Sequence, residues 1–126
     1  MPARPPEAEL PPPPPELAEL VRLVGPQATL TLVELHGGTR LFVPKSANQG
    51  TRLAREIGLS AAHALSAEYG GLMVKVPMAK PWRARIYRGE GMTYPAIARR
   101  LGTTEGRVWA WLNAAKMTVT QPDLFA

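Results

Sequence analysis

The feature that most narrows the fold of this chain is an internal repeat with a period of 33 residues. Leu20-Val-Arg-Leu-Val-Gly25 aligns with Leu53-Ala-Arg-Glu-Ile-Gly58, Ala28 and Leu32 with Ala61 and Leu65, Gly37-Gly38 with Gly70-Gly71, and Val43-Pro44 with Val76-Pro77. Self-similarity on this scale signals a supersecondary unit that cannot bury its apolar face alone and gains a core by packing on its neighbour. Each copy reads as short helix, glycine, second helix, Gly-Gly step, strand and proline. Ala28, Leu32 and Leu35 form a stripe at helical spacing, with Pro26 in the first turn, where its missing N–H is no loss. Gly37 or Gly38 then ends the helix. Leu41 and Val43, and in the second copy Val74 and Val76, alternate with Arg40, Phe42, Met73 and Lys75, the period of a half-buried strand. A lone strand has no hydrogen-bond partner, so the two strands pair either with each other about a local pseudo-twofold or with the same strands of a second chain, making a homodimer. The sequence leaves both open. Lys45 to Gly50, between the copies, is polar and reads as a loop.

The chain accordingly divides into an arm over residues 1–16, the tandem unit over 17–78 (copies 17–46 and 50–78), a basic segment over 79–116 and a flexible tail over 117–126. The arm contains the run Pro11 to Pro15, which lacks the amide donors that helix and sheet require. It is expected to be disordered with polyproline II character, and to act as a spacer rather than as a ligand for a proline-recognition domain. There is no cysteine, which removes disulfides and thiolate metal sites. No apolar run approaches the roughly 20 residues needed to cross a bilayer, and the N-terminus lacks a basic-then-apolar leader, so no membrane partner and a cytoplasmic, nucleoid-associated location are expected.

Charge is unevenly placed. Residues 1–78 carry seven Lys/Arg and seven Glu, whereas residues 79–116 carry Lys80, Arg83, Arg85, Arg88, Arg99, Arg100, Arg107 and Lys116 against Glu90 and Glu105. A basic module beside a neutral one is the footprint of a polyanion partner, or else a solvated basic face.

The residues between them give that charge a structural frame. Tyr94, Ile97, Ala98 and Leu101 fall at i, i+3, i+4 and i+7, with Thr93 able to cap the start and Pro95 inside the first turn. Gly102 breaks the helix, Thr104 can cap the next, and Val108, Trp111, Leu112 and Ala115 repeat the same spacing. Small Ala98 falls where the two helices cross. Upstream, Lys80 to Arg88 forms a third basic amphipathic helix with Trp82 and Ile86 on one face, ended by Gly89 and Gly91. The expected fold class is therefore α+β and mostly α: tandem helix-GlyGly-strand repeats in a small paired-strand domain, then a three-helix helix-turn-helix domain.

In such a domain the second helix enters the major groove of double-stranded DNA. Its outward face would carry Thr104, Glu105, Arg107, Trp109, Ala110 and Asn113. Arg107 is suited to a phosphate or to bidentate contact with guanine, Asn113 to adenine or backbone, and Glu105 to accepting from cytosine. Trp109 is either a thymine-methyl contact or a second core aromatic. Arg83, Arg85, Arg88, Arg99 and Arg100 are expected to neutralise phosphates.

Tyr69-Gly-Gly-Leu-Met-Val-Lys-Val-Pro77, Ala84-Arg-Ile-Tyr87 and the Ile97-Ala98 to Leu112 motif, in this order, resemble the Mor family of phage transcription activators. The likeness spans about Leu65 to Leu112 and implies a dimerisation region joined to a C-terminal helix-turn-helix. It also implies that the strand region approaches DNA, placing Gly70, Gly71 and Lys75 near the backbone or minor groove. The upstream Gly37 to Pro44 copy departs from the family pattern: one chain would fill with its own repeat the place a second subunit takes there. Activation rather than repression is implied only by the likeness.

The ending Gln121-Pro-Asp123-Leu124-Phe125 looks like the short peptides that dock bacterial replication proteins on the sliding clamp. This supports a second reading, a DNA-bound recruitment or replication-associated factor; a third is a protein-interaction module whose basic helices meet an acidic partner. His36 and His63 fall at unmatched positions of the repeat and read as ordinary helix residues. No phosphate loop, nucleophile elbow or paired carboxylate set is present, so no catalytic residues, cofactor or metal are expected and the chain is not read as an enzyme.

Overall fold

The computed structural model describes residues 10–114. Among them the chain is α+β and mostly helical: a 3-10 turn at Pro15–Leu17, α1 (Ala18–His36), β1 (Arg40–Phe42), α2 (Arg52–Ile57), α3 (Leu59–Tyr69), β2 (Met73–Lys75), α4 (Lys80–Gly89), α5 (Tyr94–Leu101) and α6 (Glu105–Leu112). The strands form a two-stranded antiparallel sheet. Two compact units result: an N-terminal unit, Pro12–Ala79, and a C-terminal unit that begins at Lys80 and also takes in residues 10–11. No helix among the described residues is long and apolar enough to cross a membrane.

Within the N-terminal unit, positions 33 residues apart adopt the same backbone conformation. Gly25, which breaks α1, has φ 86° and ψ 163°, and Gly58, between α2 and α3, has φ 91° and ψ 155°. Gly37 and Gly70 end α1 and α3 at φ −53° and −54°, and the glycines that follow them, Gly38 and Gly71, have φ 84° and 85°. Such positive values are open to glycine at little cost and explain the second member of each Gly-Gly step. The first member is needed for a different reason. A Cβ on Gly37 would lie 2.5 Å from the Val33 carbonyl and 3.2 Å from that of Pro77; on Gly70 it would lie 2.5 Å from Ser66 O and 3.1 Å from Lys45 O.

The strands pair with each other inside the chain, Arg40 opposite Lys75, Leu41 opposite Val74 and Phe42 opposite Met73. The flanking bonds are reciprocal: Gly38 N–H donates to Val76 O at 2.8 Å and Gly71 N–H to Val43 O at 2.7 Å, while Val76 N–H donates to Thr39 O and Val43 N–H to Leu72 O, both at 2.9 Å. A local pseudo-twofold therefore runs through the Leu41–Val74 pair. Val43 and Val76 are buried beneath the ribbon with Leu20, Leu30, Leu32, Val33, Leu53, Ala62 and Leu65, where α1, α2 and α3 meet. Burying a side chain of this size contributes about 1.5–3 kcal/mol, which accounts for the apolar residues at these positions.

The helical stripe differs from the expected one. Leu32 is buried, but Leu35 is 55% exposed and Ala28 only half-buried; the covered face carries Thr29, Leu30 and Val33 instead. The second half of α1 is apolar on most of its circumference, so spacing alone did not select the face that α3 covers. The arm also differs from the expected spacer at its inner end. Pro14 keeps polyproline II angles, φ −69° and ψ 158°, but the chain then turns into the 3-10 segment whose Leu17 is fully buried.

The C-terminal unit is built from α4, α5 and α6, which pack on one another around Trp82, Ala84, Ile86, Tyr87, Ile97, Ala98, Leu101 and Val108. The buried indole of Trp82 needs an acceptor for its N–H and finds it in the Pro11 carbonyl at 2.9 Å.

Candidate nucleic-acid interface

The pairing of α5 with α6 follows from local chemistry. Thr93 Oγ1 accepts from the Ala96 N–H at 3.3 Å, with Pro95 in the first turn, and so starts α5. Gly102, in the left-handed conformation at φ 65° and ψ 43°, ends it. Two residues later Thr104 Oγ1 accepts from the Arg107 N–H at 3.2 Å and starts α6. Ile97, Ala98 and Leu101 of α5 and Val108 of α6 are buried on the inner side. Trp111 and Leu112 are only half-buried, a shallower placement than their spacing suggests; Ala115 lies outside the described residues.

That packing leaves Thr104, Glu105, Arg107, Trp109 and Ala110 on the exposed side of α6. Trp109 has 50% of its surface in water, so of its two expected roles the core one is not adopted. Asn113 is half-buried at the C-terminal end of α6. Its own N–H donates to the Trp109 carbonyl at 3.0 Å and closes the last turn, and its Nδ2 adds a second bond to the same oxygen at 2.8 Å. A helix end leaves carbonyls without partners, and the asparagine satisfies one of them.

The arginines separate into three kinds. Arg83, expected to neutralise a phosphate, is instead 9% exposed; its Nε donates to Tyr87 Oη at 3.1 Å, and it belongs to the packing of α4. Its place one turn before Tyr87 on a short helix covered by two others puts it on the buried side. Arg88 and Arg100 are exposed but anchored. Arg88 donates to Met92 O at 3.0 Å and lies 5.0 Å from the Tyr94 ring centre, and Arg100 lies 4.5 Å from that of Tyr87. Such stacking limits side-chain freedom while keeping the positive charge. Arg85, Arg99 and Arg107 are exposed, and none of them has an ion pair among the described residues. No family model, curated protein or solved structure matches this chain.

Lys75 lies in the N-terminal unit, exposed on β2 and opposite Arg40, so two cations face each other across the ribbon. Gln121, Asp123, Leu124 and Phe125 lie outside the described residues. Among the described residues no group of three or more His, Cys, Asp or Glu could hold a metal ion.

One polar cluster escaped the sequence reading. His36 Nε2 lies 2.8 Å from Glu56 Oε1, whose other oxygen accepts from Arg52 Nε at 3.1 Å. Burial pushes the Glu56 carboxyl up, but the hydrogen bonds from His36 and Arg52 outweigh it and hold the group below its usual value of 4.5. In the other copy the equivalent positions are Tyr69 and Leu23, and His36 and Glu56 lie too far apart in sequence for spacing to pair them.

Proposed function

We propose that the C-terminal unit is a helix-turn-helix that reads double-stranded DNA through α6, and that the protein is a non-enzymatic, sequence-specific transcription regulator of the Mor type acting in the cytoplasm on the nucleoid. On this reading the N-terminal unit is a tandem duplication whose internal strand pair takes the place of a subunit contact. The observation that carries it is the exposed face of α6: Arg107, without an ion pair among the described residues, in the first turn of a capped helix, beside a half-exposed Trp109, on a segment with few acidic residues. A large aromatic left in water and a guanidinium left without a carboxylate both gain from base edges and phosphates. Arg85 and Arg99, with anchored Arg88 and Arg100, supply further positive charge for register on the backbone.

Selection of binding sites from a random duplex library, run on the full chain and on Arg107→Ala, tests the proposal. An enriched sequence that is lost or relaxed at one base in the variant supports it. Binding without enrichment, or binding indifferent to salt between about 50 and 200 mM, overturns sequence reading by α6.

A further inference from the structure

The ribbon of the N-terminal unit has an unpaired edge. Val43 and Val76 direct both main-chain groups at the opposite strand, through the four reciprocal bonds described above. An antiparallel ladder alternates, so Leu41 and Val74 face inward as well, and the N–H and C=O groups of Arg40 and Phe42 point away from the ladder. A half-open cleft of about 430 Å³ lies between β1 and α2, lined by Leu41, Phe42, Pro44 and Leu53, with Arg40 and Arg52 among its polar residues.

The residues of this cleft belong to one side of the repeat only. The positions equivalent to His36, Arg40, Arg52 and Glu56 are Tyr69, Met73, Glu19 and Leu23. On the cleft side Glu56 is held by His36 and Arg52, and Arg40 is exposed with no ion pair among the described residues. An open edge, an apolar floor and a positive rim occur together.

We propose that the cleft captures an extended acidic segment of a partner protein, which adds to the edge of β1 as a third strand. Main-chain bonds to Arg40 and Phe42 hold the segment, alternate apolar side chains rest on Leu41 and Leu53, and the acidic side chains between them meet Arg40 and Arg52. A second copy of this chain is a poorer match at that edge, because its strands, Arg40–Phe42 and Met73–Lys75, carry no acidic side chain to meet the positive rim.

The test uses the full chain and a fluorescein-labelled peptide of about six residues alternating glutamate and valine, the length of a typical strand. Fluorescence anisotropy and amide hydrogen exchange are the readouts. Saturable binding, slowed exchange at the Arg40 and Phe42 amides, and a roughly tenfold loss in Arg40→Glu are expected. Arg40 is exposed, so that variant keeps its fold; Phe42→Pro, which deletes an outward N–H and no ladder bond, should weaken binding further. No binding, unprotected amides, or a peptide displaced by duplex DNA but indifferent to Arg40→Glu overturns the proposal. Dimerisation of the chain that protects the same amides without peptide overturns it too, in favour of a second copy.

Discussion

The two units hold their charges and their chain in opposite ways. In the N-terminal unit, long-range pairing dominates: strands 33 residues apart close the ribbon, and Glu19 with Arg22, and Glu56 with Arg52 and His36, place acid beside base. In the C-terminal unit the helices are short, the caps are local, and seven cations over residues 80–114 face two glutamates. Self-repulsion of that kind destabilises a small unit and is tolerated where a partner supplies the opposite charge. A balanced, self-complementary unit is thus joined to one whose surface is electrostatically incomplete.

The sharpest way to break this comparison is to attack the symmetry of the first unit. Gly37→Ala and Gly70→Ala each force a Cβ to 2.5 Å from a main-chain oxygen. Each should cost about 2–3 kcal/mol by thermal or urea unfolding, within the range of overpacking effects. The pseudo-twofold requires the two costs to be similar; a loss confined to one would show that only one copy bears the packing.

In the second unit the contrast between Arg83 and Arg107 separates structure from recognition. Arg107→Ala should weaken the preferred DNA site by about 1–3 kcal/mol with an unchanged melting temperature. Arg83→Ala should lower stability by about 1 kcal/mol, because it removes a buried hydrogen bond to Tyr87 Oη, while leaving sequence preference intact. Equal effects of both on DNA preference would return Arg83 to the binding surface. Thr104→Ala removes the cap of α6 and should cost about 1 kcal/mol, visible as greater amide exchange over Glu105 to Val108.

The smallest effect is a pH dependence in the first unit. The Glu56 carboxyl titrates below 4.5 in the folded chain, so its contribution to stability is complete above that pH and is lost as the pH falls through the lowered value. Glu56→Gln should flatten the fall in melting temperature between about pH 5 and 3, by an amount equivalent to less than about 1 kcal/mol. An unchanged slope would mean that His36 and Arg52 do not favour the charged carboxylate in solution.

Much of this is legible in the sequence. Glycine and proline mark the ends of α1, α3, α4 and α5, and Thr93 and Thr104 cap the helices whose starts they were expected to mark. The alternation at Leu41, Val43, Val74 and Val76 placed both strands. The errors cluster where a side chain had a choice. The polarity of Arg83 points it outward, yet it is buried against a tyrosine hydroxyl, while Asn113 adds a bond to a main-chain carbonyl at the exposed end of its own helix. Leu35 was assigned inward on spacing and remains in water, and His36 was passed over for lack of a sequence neighbour.

The division has a physical cause. Turns, caps and strand periods depend on φ and ψ and on hydrogen bonds within about four residues, so residue type and spacing decide them. Whether β1 pairs within its own chain, which flank of α1 is covered, and which arginines stay free depend on contacts between residues far apart in sequence. Those contacts are settled by burial and close approach, as at Gly37 against Pro77 or His36 against Glu56, and only the tertiary structure decides them.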